Sequence, residues 1–340
     1  MIVSIPKDVM IEILHYLDLK DVFKLCSLNS TLKKLLYSIE EEFWGPLYFS
    51  TLRKELYIYT DSFTRPENIS CYRKQILRRV APLLTQKAEL VRKIDSIIEA
   101  TPQHEKHLLT PDFKETILKS TNLVLAFKEG EESFCSSRFA ATTFDVPQYD
   151  ADWNDFNADG IIAQFNLSTF NETYCSHLYG LPDKGMLYLK CQRTGETGYN
   201  WHKASCHYHI NCCDVLRTVH IDPEKGQYPL CGSFIFIGQV EEIIDVPHPI
   251  DLFPKLHYRS FLYSSLKSLN FFINKDTRKY SNIQMFGTRH YVQHEEYPAR
   301  NLLFQYWFSG GSFVSLLYWN GYPLQSDDCT DVDLVYRDDG

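Results

Sequence analysis

The chain reads as an α+β protein with its helices at the front and its strands behind. Three observations predict this. Apolar residues recur at three- and four-residue steps through the first hundred positions. From about residue 112 the pattern changes to short apolar or alternating runs separated by Gly, Pro, Asn and Asp. Near the end, Leu302 to Phe308 and Phe313 to Trp319 flank Ser309-Gly310-Gly311-Ser312, a loop whose glycines permit positive φ, which predicts a hairpin of tight register. These changes of pattern suggest three parts: an N-terminal helical bundle over 1–48, a helical connector over 49–111 and a β-rich domain, mainly antiparallel, over 112–340.

The bundle comes first. Val9, Met10, Ile13, Leu14 and Leu17 form one apolar stripe on a helix that Ser4 or Pro6 starts. Asp18 can cap a second helix burying Val22, Leu25 and Cys26, and Ser27 or Asn29 can open a third bearing Leu32, Leu35, Leu36 and Ile39. Three helices in so short a stretch bury too little apolar surface to be comfortably stable alone, so exposed apolar residues are expected at their front.

This stretch resembles the F-box family. The features that carry the likeness are the start Ile5-Pro6-Lys7-Asp8, then Ile13-Leu14 and Leu17, and then Asp21-Val22 and Leu25 leading to Asn29 and Leu32. It departs from the family at Ile5, where Leu is usual, and in the third helix, where a common Trp is missing. The resemblance implies a non-catalytic subunit of an SCF-type cullin-RING ubiquitin ligase. Ile5, Pro6, Val9, Met10, Ile13, Leu14, Leu17, Val22 and Leu25 would then enter a groove of the Skp-type adaptor, a helix-in-groove mode.

In the connector, Ser70 can cap a segment containing Ile76, Leu77 and Val80. Pro82 then interrupts, and Leu83, Leu84, Leu90, Val91, Ile94, Ile97 and Ile98 continue with helical spacing. Two helices or one kinked helix are expected. The basic residues Arg73, Lys74, Arg78 and Arg79 read as a solvated face. The polar, proline-marked stretch from Thr101-Pro102 to Thr110-Pro111 reads as the boundary.

Further strands are expected at Leu123 to Phe127, Ile161 to Asn166, Met186 to Cys191, Val215 to Ile221 and Phe234 to Ile237. This region is similar to the YwqG-like family over about residues 112–325. The likeness rests on Ser137-Arg138-Phe139, Val146-Pro147 and Trp153, on Ile162 to Leu167, and on Leu181-Pro182-Asp183-Lys184-Gly185-Met186-Leu187-Tyr188. Phe286-Gly287, Tyr291-Val292-Gln293 and Leu302 to Gln305 extend it. The family implies a fold and little chemistry.

Within those motifs, Pro182 and Gly185 read as the punctuation of a tight entry into a strand. Gln164 and Asn166 share one face of a strand, where amides most often fix neighbouring backbone. Cys206, His207, His209 and Cys212 are candidate metal ligands, but their spacing is not a standard one and all crowd one short stretch. A strand or loop is the preferred reading, with His207 and His209 on one face, and no metal or cofactor is called for. Cys175 and His177 lack a third partner, and no nucleophile, phosphate-loop or dinucleotide motif occurs, so no catalytic residue is assigned. Trp153, Trp201, Trp307 and Trp319 read mostly as core. The terminal Asp327, Asp328, Asp331, Asp333, Asp338 and Asp339 read as a solvated tail.

Composition fits. The 340 residues are 44% hydrophobic and carry a formal charge of −8 with no basic run, which argues against a nucleic-acid footprint. No apolar stretch or leader directs the chain to a membrane, and the ten cysteines read as reduced and buried, as expected in cytoplasm or nucleus. Two function classes remain. One is a receptor subunit that joins the adaptor to a target protein. The other is a small-ligand or metal-binding module, or an undetected enzyme, with the N-terminal helices as its cap.

Overall fold

The computed structural model of the chain describes residues 7–15, 17, 19–38, 40–56, 72–131, 134–139, 143–147, 161–170, 184–193, 201–209, 216–220, 235–271, 283–286, 302–307, 313–319 and 329–338. The chain divides into two compact units, Met1–Lys93 and Ile94–Gly340.

The first unit opens with α1 (Lys7–His15), α2 (Leu19–Leu28) and α3 (Ser30–Ser38). Of the two candidate caps for α3, Asn29 is the one used. Its Oδ1 accepts from the Leu32 amide at 2.9 Å, whereas Ser27 Oγ donates to the Lys24 carbonyl within α2. A π-helical turn over Glu40–Trp44 leads into α4 (Gly45–Leu56). Trp44 is fully buried, its Nε1 donating to the Leu36 carbonyl at 2.8 Å and its ring meeting those of Phe23 and Phe43. Thus an indole just outside α3 fills the core beside that helix. Asp18, Ile39 and Ser70 lie outside the described residues.

Next come α5 (Tyr72–Gln75), a π turn over Ile76–Val80 and α6 (Ala81–Ala100). The π turn precedes Pro82, which has no amide hydrogen to donate to the carbonyl four residues back; a widened turn there is the local response. The basic residues of 73–79 are not uniformly a solvated face. Lys74 and Arg78 are exposed, but Arg79 is buried and donates to the Tyr48 hydroxyl at 2.7 Å. Arg73 lays its guanidinium 3.7 Å from the Tyr37 ring centroid. Long side chains bury their stems and take aromatic partners, which residue type alone did not disclose.

In the second unit, α7 (Phe113–Lys119) precedes β1 (Asn122–Glu129). The strands β2 (Ser137–Phe139), β3 (Thr143–Pro147) and β4 (Ile161–Asn166) follow, with α8 (Leu167–Phe170) after them. Next come β5 (Met186–Arg193), β6 (Trp201–His209), β7 (Leu216–His220) and β8 (Ile235–Asp245). The short helices α9 (Pro249–Leu252) and α10 (Phe261–Lys267) lead to β9 (Ile283–Phe286), β10 (Leu302–Trp307), β11 (Phe313–Trp319) and β12 (Cys329–Asp338).

Ten of these strands close an antiparallel barrel in the order β1-β8-β2-β4-β5-β6-β12-β11-β10-β9, while β3 and β7 form a separate ribbon. Closure leaves the barrel without a free edge. In β1, Val124 to Phe127 are all fully buried, so the strand is covered on both faces and reads as a continuous apolar run. The rings of Phe127 and Phe165 stack at 5.6 Å.

The expected hairpin forms between β10 and β11, with a register shift at its Leu302 end. Two expectations change. The strand anticipated at 234–237 extends to Asp245, because β1 pairs with it along that length, with Lys128 in an ion pair with Glu241. The terminal acidic run is no tail over 329–338: Asp331, Asp333 and Asp338 belong to β12, inserted between β6 and β11. Asp327, Asp328 and Asp339 lie outside the described residues. In the sequence Val332, Leu334 and Tyr336 alternate with Asp331 and Asp333, a period-two signal hidden by the charges.

Candidate functional site

The apolar stripe of the first helix divides between inside and outside. Leu14 is 3% exposed, whereas Val9 and Ile13, one turn apart, are 45% and 50% exposed. Leu17 is half-buried where the helix ends, its amide donating to the Leu14 carbonyl at 3.2 Å. On α2, Val22 and Cys26 are buried, Leu25 is half-buried and Leu28 is 75% exposed. Short helices with a small core cannot cover every apolar side chain, and α1 and α2 leave theirs on the outside.

Val22 and Leu14 are therefore core residues that position the face, and Val9, Ile13, Leu17 and Leu25 are accessible. Ile5 and Pro6 lie outside the described residues, as does the side chain of Met10. Leu28 was missed by the stripe argument. Its signal was that it falls opposite Val22 and Cys26 on the helical wheel, where an apolar residue has no core to enter. Behind this face, burial pushes the Cys26 thiol up from its ordinary value against the opposing charges of Lys33 and Arg73.

The second unit contains a buried polar cluster assembled from the motifs of β2 to β5. Arg138 and Asp145 are almost fully buried and pair at 2.7 Å. The Arg138 guanidinium also donates to the Thr143 carbonyl and hydroxyl. Asp145 accepts from the Cys135 amide at 2.9 Å and from the Thr218 hydroxyl at 2.8 Å. Gln164 accepts from the Asp145 amide and donates to the Ser136 carbonyl, each at 2.8 Å. Asn166 donates to the Cys135 carbonyl at 2.9 Å, and Tyr188 hydroxyl donates to the Asp145 carbonyl at 2.6 Å. Both amides thus serve backbone, as expected, and a buried ion pair so fully bonded is a fastening for loops rather than a reactive group.

Gly185 has φ +105, and its carbonyl accepts from the Leu167 amide at 2.9 Å. His207 and His209 fall on the same face of β6, with His209 buried and His207 half-buried. Cys206 is on the same strand and its side chain is not described; Cys212, Cys175, His177 and Trp153 lie outside the described residues. Among the described residues no group of three or more His, Cys, Asp or Glu side chains is placed to hold a metal ion, and no helix is long and apolar enough to cross a membrane.

Glu105 supplies a third structured locus. Its two carboxylate oxygens accept from the Phe261 and Leu262 amides at 2.9 and 3.0 Å, fixing the start of α10. Burial pushes this carboxyl up, but those two amides with His104 and His107 outweigh it and hold its pKa below the ordinary value.

Compared with known proteins, residues 2–43 match the F-box domain. F-box domains bind Skp-type adaptors in SCF complexes and are generally non-catalytic substrate receptors. No curated protein and no solved structure matches the chain.

Proposed function

We propose that the chain is the substrate-receptor subunit of an SCF-type cullin-RING ubiquitin ligase. The F-box holds the Skp-type adaptor and the β-rich part holds the target protein. The observation that carries this is the exposure of Val9 and Ile13 on α1 within the stretch that matches the F-box domain. Exposed aliphatic side chains one turn apart on a helix suit a groove of another protein. Leu17, Leu25 and Leu28 extend the apolar surface, Ile5, Pro6 and Met10 complete the docking set, and Leu14 and Val22 hold the helices that present it. In this reading residues 1–48 are the docking domain, 49–111 the connector and 112–340 a YwqG-like receptor domain, the last resting on the Ile162 to Leu167 and Leu181 to Tyr188 motifs. Its contribution to ubiquitylation is proximity: a tethered target meets the conjugating enzyme at a raised local concentration.

Co-expression with a Skp-type adaptor tests the reading. A Val9→Glu, Ile13→Glu chain should lose about tenfold or more in adaptor retention while its helical circular dichroism is kept, because both side chains are exposed. Leu77→Glu, at another exposed apolar site in the same unit, should retain the adaptor fully. If the double variant retains the adaptor as well as the parent chain, the docking face has been misassigned.

A further inference from the structure

In the second unit, Glu105 ties segment 104–107 to the Phe261 and Leu262 amides that open α10, just after segment 255–259. Arg259 stands two residues before one of those amides, and Lys106 directly follows the carboxylate. Around this clamp His104, Lys106, His107, Lys255, His257 and Arg259 are all exposed. Leu256 is buried and anchors the second segment, in which Tyr258 is 52% exposed.

The arrangement is ordered by its own contacts. The His257 ring stacks on Tyr258 with centroids 4.6 Å apart, and the Arg259 guanidinium lies 5.2 Å from the Tyr258 ring centroid. His257 Nδ1 accepts from the Arg259 amide at 3.1 Å, which sets the imidazole's direction. Glu105 is the acid inside the cluster; its oxygens accept from backbone amides, and His104 Nε2 lies 3.7 Å from Oε1. Among the described residues no ion pair engages Lys106, Lys255 or Arg259. A chain of net charge −8 therefore presents here a cationic surface around a tyrosine.

We propose that this surface recognises a carboxylate-rich segment of a partner polypeptide. The inference rests on the receptor reading, in which that segment belongs to the target. Arg and Lys donate charge-assisted hydrogen bonds to carboxylate and phosphate oxygens, and Arg and Tyr are the side chains that most often dominate protein interfaces. A nucleic acid suits it less well, since a long polyanion would also meet the chain's negative field.

Fluorescence anisotropy on the full chain tests this, with a labelled oligoglutamate peptide, a phosphoserine peptide, an oligoglutamine peptide and a single-stranded RNA of matching length as probes. The oligoglutamate peptide should bind at low salt and weaken as salt rises; the oligoglutamine peptide should not bind. Lys255→Glu with Arg259→Glu should weaken that binding by about tenfold or more without changing the melting temperature, because both side chains are exposed. Tyr258→Ala should weaken it as well. Oligoglutamate binding no better than oligoglutamine, an unaffected charge-reversal variant, or the phosphoserine peptide or RNA binding tighter than oligoglutamate would overturn the proposal. Adaptor retention is measured on the same samples. Its loss with peptide binding intact would count against the receptor reading alone, and the converse against the acidic-segment surface alone.

Discussion

At the residue scale, Gly185 has no permissible substitute. Its φ of +105 belongs to a region L side chains rarely adopt, and a Cβ there would lie 2.5 Å from the His209 carbonyl oxygen and 2.6 Å from the Tyr208 ring. Backbone cannot yield as a flexible side chain can. Gly185→Ala should therefore destabilise the second unit by about 1–3 kcal/mol or more, read as a lowered denaturant midpoint. An unchanged midpoint would mean that β5 and β6 separate more readily than their register suggests. This glycine was legible in the sequence, because a Pro-x-x-Gly turn ahead of an apolar run has few structural uses. Gln164 and Asn166 were legible in the same way. Arg138 was named within a motif, but its ion pair with Asp145 was not foreseen, since nothing in the order of residues says that β2 and β3 will place the two charges within hydrogen-bond reach in a dry interior.

At the scale of elements, α3 depends on its cap. Asn29 closes the otherwise unsatisfied amide of Leu32, and a methyl side chain would leave it to water. Asn29→Ala should cost about 1 kcal/mol in the first unit, visible as a lower thermal midpoint of its helical signal. An unchanged midpoint would show that the cap is redundant with the bond from Trp44 Nε1 to the Leu36 carbonyl. The helices before residue 112 were read from caps and stripes, which are local properties, whereas α7 to α10 inside the region read as β-rich were not anticipated. Strands were read less evenly. β1, β4, β5 and the β10–β11 pair follow from their own residues, but β2 and β9 are three and four residues long and take their conformation from neighbours distant in sequence. Short strands carry too few alternations to announce themselves. β12 did announce itself, and its aspartates disguised it.

At the scale of the whole molecule, the surplus of carboxylates makes pH the natural variable, and Glu105 is the carboxylate on which the sign can be worked out. Its pKa is lower in the folded chain than its ordinary value, so its stabilising contribution is present above the ordinary value and disappears as pH falls through the folded one. Glu105→Gln should be less stable than the parent chain at neutral pH, because the amide nitrogen would face a backbone donor. The gap should narrow on acidification, as thermal melts at neutral and acidic pH would show. A gap independent of pH would assign Glu105 a packing role instead. The division into helical front and β-rich remainder was legible throughout, whereas the cyclic order of the barrel was not, since closure pairs strands from opposite ends of the region.

That closure has a consequence during synthesis. β6 lacks its second neighbour until β12 has left the ribosome, and β11 waits for the same strand. At about 5–20 residues per second the exposed flank of β6 persists for on the order of ten seconds. Nascent chains in that interval carry an open hydrogen-bonding margin, and those broken off before Cys329 carry two permanently. Copies terminated before β12 should therefore be sticky, chaperone-bound species, because that one strand closes both margins.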